Sequence, residues 1–169
     1  MDAERLIATG RHALAESQVA LDIVAEAWQA QVLAQAIGSR LALCGPMELR
    51  SEARGLSETV GGRGAVEHPA LRTGGPRAAQ LTGVGDTRAA LTALAALLGE
   101  VGIALVGVAC ATDEEGLYWQ CIEAIDAADE AGDRVRAMLR RLAAREAERE
   151  RDRPPDPARG RAGPAPGPR

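Results

Sequence analysis

Apolar residues recur along four stretches of this chain at the alternating spacing of three and four that gives a helix one apolar side. In the first, from about Asp2 to Leu43, Ile7, Leu14, Leu21 and Trp28 stand seven residues apart. Gly10 and Val24 complete the stripe, and Arg11, Gln18, Asp22 and Gln29 lie opposite. The pattern predicts one long amphipathic helix with Trp28 in the core. Gly38 and the run Cys44-Gly45-Pro46 read as stop signals, because glycine tolerates a left-handed cap and proline cannot continue the backbone ladder. Pro46 suits the opening of a second, short helix from about Met47 to Glu58, with Leu49, Ala53 and Leu56 on one side.

The third stretch, about Asp86 to Ala111, has the cleanest seam: Leu91, Leu94, Leu98, Val101, Leu105 and Val108. Asp86 is its expected N-cap, a carboxylate able to accept from the unpaired amides of a first turn. The fourth is expected to start at Thr112, with Glu115 three residues later as the reciprocal capping partner, and to run to about Arg151. Its seam reads Tyr118, Cys121, Ile125, Ala128, Gly132, Val135, Leu139 and Leu142. After Leu142 no apolar stripe continues, so the last turns should project. The expected fold is all-α: an up-down bundle of three long helices and one short helix, packed at shallow left-handed angles.

Between Thr59 and Gly85 the periodicity gives way to Gly and Pro, which predicts a long connection inside a single domain of residues 1–151; Arg77 to Thr82 could form an extra turn. From Asp152 to Arg169 the chain is Pro, Gly and Arg with almost nothing to bury, the composition of a disordered tail.

Composition narrows the class. With 169 residues, 46% of them hydrophobic, the chain can bury a core without metal or disulfide staples. It has no Phe, Lys or Asn, and all 20 basic residues are Arg. The missing types share A/T-rich codons, so the arginine excess reflects a G+C-rich genome before it reflects nucleic-acid binding. A net charge of −4 argues the same way, since a domain that grips a phosphate backbone is usually basic. Three cysteines, Cys44, Cys110 and Cys121, form neither a CxxC pair nor an even set, which fits a reducing cytoplasm. The acidic start, Met1-Asp2-Ala3-Glu4-Arg5, lacks the basic region of a signal peptide.

Three segments carry a resemblance. Ala25-Glu-Ala-Trp-Gln-Ala-Gln31, Leu33-Ala-Gln-Ala-Ile-Gly38 and Leu117-Tyr-Trp-Gln-Cys-Ile-Glu-Ala-Ile-Asp126 resemble a family of helical proteins from high-G+C actinobacteria that is known only as a domain of unknown function. The resemblance covers about residues 1 to 150. It implies a helical fold in a bacterial cytoplasm, with no activity, cofactor or partner attached.

Candidate chemistry is sparse. Glu123, Asp126, Glu130 and Asp133 fall at i, i+3, i+7 and i+10 and make one acidic ridge on the fourth helix, with Trp119 beside it. An aromatic anchor next to a charged ridge suits a protein partner with basic residues. The alternative, a Mg²⁺ or Mn²⁺ hydrolase acting on a phosphorylated small molecule, needs more carboxylates converging from a facing helix; Glu16, Asp22 and Glu26 are the available ones. Cys110 and Cys121 bracket the turn between the third and fourth helices, but a nucleophile needs a nearby base, and His12 and His68 lie far along the chain. They read as small buried thiols. Gly61-Gly62-Arg63-Gly64 lacks the strand, helix and glycine spacing of a phosphate loop, so it reads as linker and no cofactor is called for.

Charge in the fourth helix is polarised: eight acidic residues and no basic one between Asp113 and Asp133, then seven Arg and three Glu from Arg134 to Arg151. This follows the helix dipole, and it could also join two antiparallel copies as a homodimer. Ala89 to Ala111 holds one charge, Glu100, and is long enough to span a bilayer. Nine Leu, Ile and Val contribute about −3 to −5 kcal/mol to insertion, against about +2.5 to +3.5 for a central charge, so a buried core helix is the expectation and a membrane segment the alternative. The reading as a whole is a non-enzymatic helical interaction module with a protein partner or a second copy, and with no catalytic or metal-binding residue assigned.

Overall fold

A computed structural model describes residues 1–59 and 75–153. Five α-helices account for most of these residues: α1 (Ala3–Glu16), α2 (Ala20–Cys44), α3 (Arg50–Ser57), α4 (Thr87–Ala111) and α5 (Glu115–Arg151). Single 3₁₀ turns at Met47–Leu49 and Arg77–Gln80 precede α3 and α4. Among the described residues there is no strand, only an isolated bridge between Asp2 and Gly83.

The core is built on α4. Its seam residues Leu91, Leu94, Leu98, Val101 and Leu105 are buried as expected, together with Leu97. Asp86 caps it, accepting from the Ala89 amide at 2.9 Å. The helix packs against α5, α2 and α1 at once, which is why a segment this apolar folds into the centre. Leu49, Ala53 and Leu56 of the short helix region are fully buried, and Trp28 is buried on α2.

The single helix expected from Asp2 to Leu43 is two helices. The chain leaves helical geometry at Ser17, whose backbone is extended (φ −74°, ψ 116°), and re-enters at Ala20. It reverses direction there: Gly10 on α1 and Glu26 on α2, equidistant from Gln18, both lie against the Arg77 guanidinium. The reversal takes Leu21 out of the heptad line and leaves it 61% exposed. A continuous helix of 42 residues would be about 63 Å long, far beyond the core it must cover, whereas two antiparallel pieces both reach α4. The N-terminus is then tied down by backbone pairing, Ala3 N–H to Gly83 O at 3.1 Å and Thr82 N–H to Met1 O at 2.9 Å.

Gly38 does not stop α2. It lies in the helix interior where α3 crosses, and a methyl at this position would sit 2.8 Å from Ala53 O and 2.9 Å from Ser57 N. The terminator is Gly45, whose N–H donates to Leu41 O. The expected Thr112 cap also differs: Thr112 ends α4, and its hydroxyl accepts from the Glu114 amide at 3.1 Å, so Glu114 is the first residue of the α5 boundary.

The α5 seam shifts accordingly. Cys121, Ala128, Gly132 and Val135 are buried as expected, Ile125, Leu139 and Leu142 partly, while Met138 is fully buried and Tyr118 is 40% exposed. Arginines of the second half reach α3 and the turn before it: Arg134 and Arg141 pair with Glu52 at 3.3 and 2.9 Å, and Arg145 pairs with Glu48. The expected overhang is real in that residues 143–151 are exposed, although Glu146 pairs with Arg88 of α4 at 2.8 Å. The Gly61–Gly64 motif, His68 and most of the C-terminal tail lie outside the described residues.

Candidate functional site

One stripe of α5 faces outward without interruption. Trp119, Glu123, Asp126, Glu130 and Asp133 follow one another at spacings of four and three, and all five are exposed. The helix positions them because its opposite face, from Cys121 through Ala131 to Met138, is taken up by packing on α4, α2 and α3. Trp119 is 55% exposed, unusual for the largest apolar side chain in a domain that has only two tryptophans. Its ring meets that of Tyr118 edge to face, with centroids 5.4 Å apart and an interplanar angle of 80°. The pair forms a small aromatic platform on the first turns of the helix, followed by four carboxylates in a row.

The ridge is solvated. Asp133 pairs with Arg136 at 2.7 Å, and the remaining carboxylates stand along a single cylinder. The facing carboxylates that a hard cation would require are not gathered: Glu26 pairs with Arg77 across α2, while Glu16 and Asp22 are exposed near the α1–α2 turn. Among the described residues no group of three or more His, Cys, Asp or Glu is placed to hold a metal ion. His12 is exposed on α1. The three thiols divide: Cys121 is buried as expected, and burial pushes its pKa up; Cys110 is exposed, contrary to the expectation of a buried thiol, and Cys44 is exposed too.

At the same end of the bundle lies a groove that the sequence pattern did not reveal. Gln18, Ile23, Ala104, Val108 and Leu117 line a largely apolar hollow of about 430 Å³ where the α1–α2 turn meets the α4–α5 turn. Its walls come from α2, α4 and α5 together with Gln18 of the α1–α2 turn, and that turn reaches the hollow only because the chain reverses at Ser17. The helical periodicity holds no record of that reversal. The second feature missed is the outer side of α4. Opposite the buried seam, Thr92, Ala96, Gly99, Ile103, Val106 and Cys110 are exposed, Ile103 at 77% and Val106 at 49%. Among the described residues α4 is the one helix long and apolar enough to cross a membrane, and a third of its most apolar stretch is buried in the chain.

These features define a helical protein with an exposed aromatic and acidic face. The chain belongs to DUF6099, a family of unknown function, whose model matches residues 1–141. No curated protein and no solved structure matches it.

Proposed function

We propose that this protein is a non-enzymatic helical interaction module that receives a protein partner on the outward face of α5. The observation that supports this reading is the exposure of Trp119, coupled to Tyr118 and continued by Glu123, Asp126, Glu130 and Asp133. A large aromatic left in water is a typical anchor for a partner, and a row of carboxylates beyond it selects a segment carrying Arg or Lys at matching positions. The partner of best fit is a basic amphipathic helix that sets one apolar residue against the Trp119–Tyr118 platform and its charges along the ridge. The exposed thiols Cys44 and Cys110 suit a reducing, cytoplasmic setting.

The test is capture of partners from the native host with the wild-type chain and with a Trp119→Ala, Asp126→Arg variant. Both substituted residues are exposed, so the variant should keep the helical dichroism and melting profile of the wild type. Loss of a specific band from the variant supports the face; identical sets of captured proteins refute it.

A further inference from the structure

The hollow between the α1–α2 turn and the α4–α5 turn owes its volume to small side chains. The buried seam of α4 is Leu and Val, but the residues that α4 turns toward the hollow include Ala104, Gly107 and Ala111, and α2 contributes Ala20 from its first turn. Gly107 has nothing within 4 Å of the position a methyl would take, so packing within the chain does not call for glycine there. A space of about 430 Å³ with apolar walls, and with Gln18 and Thr112 as its two polar side chains, falls within the ~300–1,000 Å³ of pockets that hold small molecules between helices.

Charge at the mouth has one sign. Glu16 and Asp22 stand within two residues of Gln18 and Ile23, and Asp113, Glu114 and Glu115 make up most of the link from Thr112 to Leu117. All five are exposed, and among the described residues none pairs with an arginine. Every wall residue belongs to one of two stretches, 13–39 and 89–133, that contain no Arg, Lys or His. The segments that build the hollow therefore bring carboxylates to its rim and no cation of their own.

We propose that the hollow binds a lipophilic cation, an organic ammonium whose apolar body lies against Ile23, Ala104, Val108 and Leu117 and whose charge stays at the mouth among the carboxylates. Burial of the body supplies the affinity, and the rim selects the sign of the charge. A fatty acid of the same length meets the same walls but is repelled at the mouth. A small hydrated cation gains nothing from the walls. The attraction at the mouth acts between solvated charges, so it is the part that salt weakens.

The probe is decyltrimethylammonium, titrated calorimetrically into the full chain below its micelle concentration. Saturable binding at one site with a Kd below about 1 mM is expected, about tenfold weaker for decanoate, and absent for tetramethylammonium. Added sodium chloride should weaken the cation and narrow its lead over decanoate, and Asp113→Asn with Glu115→Gln should do the same at low salt. Ala104→Leu with Gly107→Leu fills the hollow and should abolish binding with helical dichroism unchanged; should that pair unfold the chain, Gly107→Leu alone, at an exposed position, carries the test. The Trp119→Ala, Asp126→Arg chain should bind as the wild type does, so this proposal and the one for the α5 face fail separately. No saturable heat overturns the proposal, as do several equivalent sites, equal affinity for decanoate, or full binding by a folded chain with the hollow filled. Loss of binding in the Trp119→Ala, Asp126→Arg chain overturns it too, because the cation would then lie on the acidic ridge.

Discussion

Replacing Gly38 by alanine separates two opposing effects whose sizes the structure lets us compare. Alanine in a helix interior is favoured over glycine by about 0.5–1 kcal/mol, because the glycine backbone loses more freedom on folding. Against this, the new methyl would stand 2.8 Å from Ala53 O, 2.9 Å from Ser57 N and 3.1 Å from the Leu56 Cβ. Two of the three neighbours are backbone atoms of α3 and cannot rotate away, so α3 as a whole must move. That movement would loosen Ala53 and Leu56, both fully buried, and strain the Glu52 pairs with Arg134 and Arg141. Overpacking of this kind costs about 1–3 kcal/mol, which outweighs the helix gain and leaves a net loss of about 1–2 kcal/mol. Gly102→Ala is the control: it lies inside α4 with nothing within 4 Å of the added methyl, so the helix gain alone should remain. Urea unfolding followed by dichroism at 222 nm should move the midpoint down for Gly38→Ala and up for Gly102→Ala. A Gly38→Ala protein as stable as the wild type would mean that α3 does not sit against α2 as described.

Leu105→Ala, at a fully buried position of α4, should cost about 2–5 kcal/mol in the same assay, enough to leave a substantial unfolded fraction near physiological temperature. A thiol reagent added to the native protein should react rapidly with Cys44 and Cys110, and with Cys121 only after denaturant is added; three rapid thiols would contradict the packing of α5 on α4. Stability should fall on the acid side. Arg11 holds the Glu100 carboxyl below its usual range, chiefly by hydrogen bonding, and Glu48 is lowered first by its own backbone N–H and then by Arg145 and Arg149, against an opposing effect of burial. For a carboxylate whose folded pKa is depressed, the stabilisation is complete above the unfolded value near ~4.3 and is lost as pH falls through the folded one. Urea midpoints taken between about pH 7 and 3 should therefore drop below pH ~4.5, and the drop should be shallower in Glu100→Gln.

How far local pattern reaches is clearest on α4. Asp86, the seam from Leu91 to Val108 and the end at Ala111 are all legible, because a cap and a three-four apolar repeat act within a few turns of one helix. The same holds for Leu49, Ala53 and Leu56, and for Trp28. The acidic ridge with Trp119 alongside was also visible as a stripe, since the phase of an α-helix places those five positions together whatever else the chain does. Family membership agreed as well, with the match to DUF6099 covering residues 1–141.

Long-range contacts decided the rest. No proline or glycine marks the reversal at Ser17–Val19; it follows from two apolar faces both needing α4, a requirement that links residues some ninety positions apart. Gly38 reads as a stop until α3 is laid across it, and then it is a place where the α3 backbone leaves no room for a methyl. Periodicity shows that α5 has an apolar side but not its edges, so Met138 lies buried and Tyr118 half out in water according to where α3 and α4 end. On α4 nearly every position is apolar, and composition cannot separate the covered side from the bare one. Only the placement of α1, α2 and α5 shows that Ile103 and Val106 are left facing outward, because burial is a property of what surrounds a residue and not of the residue itself.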